Sequence, residues 1–226
     1  MKSSGQGLVY INLDNPAKEK KIQSGTWDRT ILCQHCETRL APLDAYGIRF
    51  FRDEEFAFNR VVDKFTETLE FVGVDNFLLK KFLLFVAWRF GATMRPEFAS
   101  VDLGDRLDEL RQLVDVGSPG TLAQFPSVVK RYSPHAAHHP TGMMVEVQAR
   151  DFALNPCVVE WAGRRVLQFY LANYVIYMAI DNVTPEGFWA TCSVGVEGGP
   201  RVIVKQLGAS GELAFVRDRF RRVRKT

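Results

Sequence analysis

Apolar positions along this chain recur at helical spacing through its first half and at strand spacing through its second. Leu40, Leu43, Tyr46, Gly47 and Phe50 fall near i, i+3, i+6, i+7 and i+10. That spacing predicts an amphipathic helix after Cys36, with Pro42 accommodated in its first turn. From Lys64 to Val72 apolar and polar residues alternate, the period of a half-exposed strand. Asp75 or Asn76 is placed to cap a helix over Phe77 to Thr93, which is apolar nearly all round and is therefore expected at the centre of the core. Pro96 stops it. Asp102 is expected to cap a further helix over 103–115, with Leu103, Leu107, Leu110 and Val114 opposite Asp105, Arg106, Asp108, Glu109 and Arg111. Gly117-Ser118-Pro119-Gly120 ends that helix and reads as the best internal linker.

The remainder reads mainly as β. Pro126 to Tyr132, Met143 to Gln148, Cys157 to Trp161, Val166 to Ala172, Tyr174 to Ile180, Phe188 to Val194 and Val202 to Gln206 are the predicted strands. Ala162-Gly163-Arg164, Ala172-Asn173 and Gly198-Gly199-Pro200 are the predicted turns between them. Such short turns favour an antiparallel meander. At the N-terminus, Leu8 to Ile11 forms a short strand closed by Asp14-Asn15-Pro16, and Trp27 to Leu32 an extended run. Glu212 to Arg224 closes the chain as a helix with Leu213, Val216, Phe220 and Val223 inside. Helices followed by strands predict an α+β fold in which the C-terminal helix packs on the sheet. The expected division is an N-terminal region of 1–60 and a core of 61–226, or a single domain.

Composition narrows the class. With 226 residues, 46% hydrophobic and 24% charged, the chain has material for an ordinary globular core without staples. Its net charge of +3 falls well short of a dedicated nucleic-acid coat. The four cysteines form no paired framework and no apolar leader opens the chain, which predicts a reducing cytosol and a cytoplasmic protein. The most apolar stretch, Phe82 to Trp88, is far shorter than the ~20 residues of a membrane span. It predicts a buried helix and no membrane partner.

Candidate chemistry centres on Cys33-Gln34-His35-Cys36, a C-x-x-C following a β-like run. Two thiolates at this spacing converge on one metal ion, but tetrahedral zinc takes four ligands. Cys157 and Cys192 are distant and form no second pair, so Cys33 and Cys36 predict at most a partial zinc site. His35, His135, His138 and His139 are the only histidines, and the last three sit between Pro134 and Pro140 in what reads as a solvated loop. Two buried apolar cysteines at a chance spacing are the plain alternative. A redox C-x-x-C is less favoured, because the expected βαβ surroundings are missing.

The tail carries Arg217, Arg219, Arg221, Arg222, Arg224 and Lys225. Arg217, Arg221 and Arg224 share one helical stripe, which together with Arg222 offers a phosphate backbone a sequence-independent contact. The commoner meaning of such a stripe is a solvated helix face. Glu54-Glu55 and Asp108-Glu109 read as solvated helix ends. No phosphate-binding glycine loop, nucleophile elbow or H-E-x-x-H occurs, and no catalytic constellation assembles.

The stretch from Asn15 to about Phe51 resembles uncharacterised bacterial proteins related to HNH endonucleases. The element that carries the likeness is Ile31-Leu32-Cys33-Gln34-His35-Cys36-Glu37 followed by Asp44-Ala45-Tyr46. Phe82 to Arg89 and the helix from Leu103 to Leu113 resemble the helical part of the same proteins. The resemblance implies that Cys33 and Cys36 are the second half of a four-cysteine zinc ribbon. The first half and the His-Ile-Ile-Pro histidine, which serves such enzymes as general base beside one hydrolytic metal, have no counterpart here. The expectation is a non-enzymatic, HNH-related interaction or nucleic-acid-associated module, with nucleic acid, a protein or a second copy as partner. The alternatives are a metal-dependent nuclease, completed by His135, His138 or His139, and a small-molecule-binding sheet domain over 126–206.

Overall fold

The computed structural model describes residues 8–11, 19–22, 28, 30–63, 66–138, 144–147, 155–195 and 199–206. The chain begins with strands β1 (Leu8–Ile11) and β2 (Glu19–Ile22), an antiparallel pair. Helix α1 (Gln34–Phe51) leads to β3 (Phe58–Val62) and β4 (Glu67–Phe71). Helix α2 (Asn76–Ala92), a 3₁₀ turn at Pro96–Phe98 and α3 (Arg106–Asp115) follow. The second half holds β5 (Ser127–Ser133), β6 (His135–His138), β7 (Met144–Val147), β8 (Cys157–Trp161), β9 (Arg164–Leu171), β10 (Tyr174–Ala179), α4 (Gly187–Cys192) and β11 (Arg201–Gln206).

Seven strands form one sheet in the order β3-β4-β11-β5-β10-β9-β8. Every pairing in it is antiparallel except β11 with β5, where Val202 lies beside Val129. The predicted α+β class therefore holds, with β8 to β10 as a true meander. Ala162 (φ 49) and Gly163 (φ 73) close β8 to β9, two left-handed residues whose twist matches that of paired strands. Strand β11 then enters between β4 and β5 and completes this seven-stranded sheet.

Both faces of the middle of the sheet are buried. Tyr174, Ile176 and Met178 of β10 join Val129, Leu167, Phe169 and Val202 against the helices. Val175, Tyr177 and Ala179 face the other way, with Val128, Val166 and Trp189 of α4. Because neither face of β10 meets water, the strand reads as an unbroken apolar run and not as an alternation.

The cap of α2 is the one expected: Asp75 accepts a hydrogen bond from Leu78 N at 2.8 Å. Leu79, Leu83, Phe85 and Ala87 of this helix are fully buried. Gly47 lets α1 approach it closely, since a Cβ there would stand 2.3 Å from the Phe82 ring. Gly91 does the same for Leu103 and Leu107 beside α3. Phe50 and Phe51 of α1 belong to the same core as the sheet residues. Among the described residues no helix is long and apolar enough to cross a membrane.

Several expectations need correction. The run from Trp27 to Leu32 is not a strand in its described part. Asp28 instead accepts hydrogen bonds from Thr30 N (2.9 Å), Thr30 Oγ1 (2.6 Å) and Thr93 Oγ1 (2.6 Å), a turn fastened to the end of α2. Pro42 lies inside α1 and not in its first turn, because the helix starts at Gln34. Helix α3 starts at Arg106, since Asp102 caps a turn at Gly104 (φ 52). Phe188 to Val194 is mostly helix α4, where i, i+3 spacing sets Trp189 and Cys192 against the sheet. The alternation of its side chains served either period. His135 and His138 stand on β6, paired with β7, because Pro134 delimits a short strand instead of preventing one. His139 and the predicted helix from Glu212 to Arg224 lie outside the described residues. Strand β3 was not foreseen, and Gly117 to Gly120 is no linker, because Leu110 before it and Val129 after it share one core.

Gly47→Ala is expected to destabilise the protein by about 1–3 kcal/mol, the usual cost of overpacking. Urea denaturation measures it. Adding Phe82→Leu, which removes the ring that the new methyl meets, should recover part of that loss.

Candidate functional site

The turn built on Asp28 delivers the chain to Cys33, whose backbone (φ −80, ψ 162) is extended and whose side chain caps α1. Its carbonyl accepts the first helical bond from Glu37 N at 3.0 Å. Its Sγ accepts from Cys36 N at 3.4 Å, so a sulfur occupies the place usually taken by a serine or aspartate oxygen. The C-x-x-C spacing sets Cys36 in the first turn of α1. Cys33 is exposed and Cys36 half-buried.

The two sulfurs are driven apart in acidity. The Cys36 backbone N–H, followed by the Cys36 thiol and the His35 N–H, holds the Cys33 thiol below its ordinary value. The partial positive charge of the helix N-terminus acts in the same sense. Cys36 is pushed up, first by the neighbouring Cys33 side chain and then by desolvation. Asp115 adds to that rise and Arg39 opposes it. Those two residues belong to a small surface cluster. Arg39 lies 3.7 Å from the Asp115 carboxylate and donates to its main-chain oxygen at 3.4 Å, and Arg111 lies 3.7 Å from the same carboxylate. The C-terminal end of α3 thereby stands beside the first turn of α1.

The other proposed ligands are placed elsewhere. Cys157 on β8 and Cys192 on α4 are free, with thiols pushed up by burial. Among the described residues no group of three or more histidine, cysteine, aspartate and glutamate side chains is arranged to hold a metal ion. Arg217, Arg221, Arg222 and Arg224 lie outside the described residues. Glu54 and Glu55 are engaged in ion pairs, Glu54 with Arg131 at 2.8 Å and Glu55 with Arg49 at 2.6 Å.

Sequence reasoning missed two further polar features. Glu54 takes a left-handed backbone (φ 50) just past α1 and is gripped by the guanidinium fork of Arg131, with the Tyr174 hydroxyl at 3.4 Å. Burial and the Glu54 carboxylate raise the Tyr174 phenol well above its usual range. This contact straps the end of α1 to β5 and β10. The second feature is Lys80, 1% exposed on α2, whose ammonium donates to the Thr121 carbonyl. Burial alone pushes its pKa down to about 8. The sequence showed Lys80 only as a charge beside an apolar run. Helical spacing through Leu79, Leu83 and Leu84 was the signal that it points inward.

Compared with family models, characterised proteins and solved structures, the chain matches none. The comparisons therefore supply no link to HNH endonucleases, and the site rests on its own geometry.

Lys80 generates a pH prediction. Its folded pKa lies below the value of about 10.4 for an unfolded lysine, so the unfolded chain binds the proton more tightly. The cost of burying the amine is fully present below pH 8 and is relieved as pH rises toward 10. At ~1.4 kcal/mol per pKa unit it amounts to about 3 kcal/mol. Lys80→Met should therefore be more stable than the parent at pH 7, by an amount that shrinks between pH 8 and 10. Paired denaturant titrations across that range measure the difference.

Proposed function

We propose that this protein performs thiol–disulfide exchange through Cys33 and Cys36. The supporting observation is the placement of Cys33 Sγ as the cap of α1, accessible to solvent, with a second thiol beside it in the first turn. The exchange needs an attacking thiolate and a neighbouring thiol that resolves the mixed disulfide. A helix N-terminus and an i, i+3 spacing supply both. The βαβ surroundings that disfavoured this reading at the level of sequence are one way of presenting a helix N-terminus, and α1 presents its own.

The chemistry balances without any further group. The Cys33 thiolate attacks one sulfur of a disulfide R–S–S–R, a mixed disulfide forms at Cys33, and R–S⁻ leaves. Cys36 loses its proton and attacks Cys33 Sγ, which closes the Cys33–Cys36 disulfide and expels the second R–S⁻. The two thiolates leave as thiols once protonated. Exposed Cys33 takes the first step, and half-buried Cys36, shielded beside Arg39 and Asp115, takes the second.

Glutathione disulfide added to the fully reduced protein should produce the internal disulfide, read by mass spectrometry after acid quenching. Cys33→Ser should abolish the reaction at this site. Cys36→Ser should halt it with one glutathione on residue 33. The alkylation rate of Cys33 should also reach its plateau at a pH below that of an ordinary thiol, which titrates near about 8.5. Alkylation no faster at pH 7 than for a free cysteine, with no internal disulfide, would sink the reading.

A further inference from the structure

We infer that the Cys33–Cys36 pair works in the oxidising direction, passing its disulfide to peptide dithiols and being recharged by a low-molecular-mass disulfide such as that of glutathione. This inference rests on the exchange chemistry proposed above and adds its sense and its substrate class.

The argument starts from what surrounds one sulfur. In the reduced chain Cys33 Sγ accepts a hydrogen bond from the Cys36 N–H at 3.4 Å, at the very start of α1. A thiolate is a strong acceptor for such donors, and a disulfide sulfur is a weak one. Closing the disulfide leaves that backbone donor facing a sulfur without charge. The positive end of α1 likewise interacts with the thiolate and hardly at all with the disulfide. Each of these interactions therefore favours the reduced state. A couple whose reduced form is selectively stabilised is an oxidant, because its disulfide gives way readily to incoming thiols.

Accessibility selects the same direction atom by atom. A substrate thiolate meets exposed Cys33 before half-buried Cys36. It attacks Cys33 Sγ, the Cys33–Cys36 bond breaks, and Cys36 leaves as a thiolate and takes up a proton. The second substrate thiol, deprotonated, then attacks the substrate sulfur of the mixed disulfide and displaces Cys33. Cys33 is the better leaving group of the pair, because the helix start is already arranged to receive its charge. The substrate ends as a disulfide and the protein as the dithiol. Recharging by glutathione disulfide returns two molecules of glutathione, so the cycle oxidises one peptide dithiol for each glutathione disulfide reduced.

The test compares the folded protein with a peptide spanning residues 30–39, which has the same cysteines without the anchored helix. Both are equilibrated across a series of reduced-to-oxidised glutathione ratios, quenched in acid, and scored for the internal disulfide by mass spectrometry. The folded protein should lose its disulfide at a ratio at least tenfold less reducing than the peptide requires. The oxidised protein should also convert an unrelated dithiol peptide to its disulfide stoichiometrically. A protein disulfide as stable as the peptide's, or more stable, overturns the direction while leaving exchange at Cys33 and Cys36 intact. Failure of the protein to form an internal disulfide at any ratio overturns the direction and the exchange chemistry together.

Discussion

The fold depends on covering a helix that has no polar face. Leu79, Phe82, Leu83, Leu84, Phe85, Val86 and Ala87 of α2 are all buried, and each of the larger side chains among them is worth about 1.5–3 kcal/mol only if water is kept from it. One sheet face cannot enclose a cylinder, so α1 and α3 close the remaining sides. Gly47 and Gly91 permit the close approaches. The sheet follows from the same requirement. Its helix-facing residues come from β4, β5, β9, β10 and β11, and the core is sealed only when β11 slots in beside β5. Lys80 is a charge that this arrangement buries on α2 itself.

The position of the dithiol is a consequence of that packing. With α1 laid against α2 and tied by the Arg89–Asp44 ion pair at 2.9 Å, its free end projects beside the end of α3. The turn on Asp28, itself fastened to Thr93, feeds the chain into that end. Hydrogen bonds from Thr30 and Thr93 hold the Asp28 carboxyl down to about 2, so the turn keeps its charge across the neutral range. Cys33 and Cys36 are thus presented by a helix whose far end is locked in the core through Phe50 and Phe51. A rigid helix start is what exchange chemistry needs, since the donors around Cys33 act only if they stay in place.

Much of this was legible in the chain. The period of α2 and the cap at Asp75 were plain, because a long apolar helix and its aspartate are local signals. The meander from β8 to β10 was plain as well, because Ala162-Gly163 and Ala172-Asn173 mark its turns. The place of β11 and the exposed edge strand β3 were not, because strand order is decided by contacts distant in sequence. Alternation misled at Phe188 to Val194, where aromatic and small residues satisfy either period until the sheet selects one. At the candidate site the residues are legible in the chain and their setting is not. The strand expected before Cys33 is a turn on Asp28 and Thr30, and the helix expected after Cys36 starts at Gln34. The first-turn acid Glu37 could have moved that start back and made Cys33 a cap.

That displacement of a few residues changes the chemistry being asked of two cysteines. At the tip of a knuckle, two thiolates are half of a tetrahedral site and wait for two more ligands. At a helix start they are unlike one another: Cys33 Sγ accepts the Cys36 N–H, and Cys36 itself lies within the first turn. Spacing alone is common to both cases. The asymmetry between the two sulfurs is what the proposed exchange draws on. Cys33 lies outside the helix and Cys36 inside it, Cys33 is exposed and Cys36 half-buried, and their thiols shift in opposite directions. The nucleophile and the resolving partner proposed for these two cysteines depend on such differences.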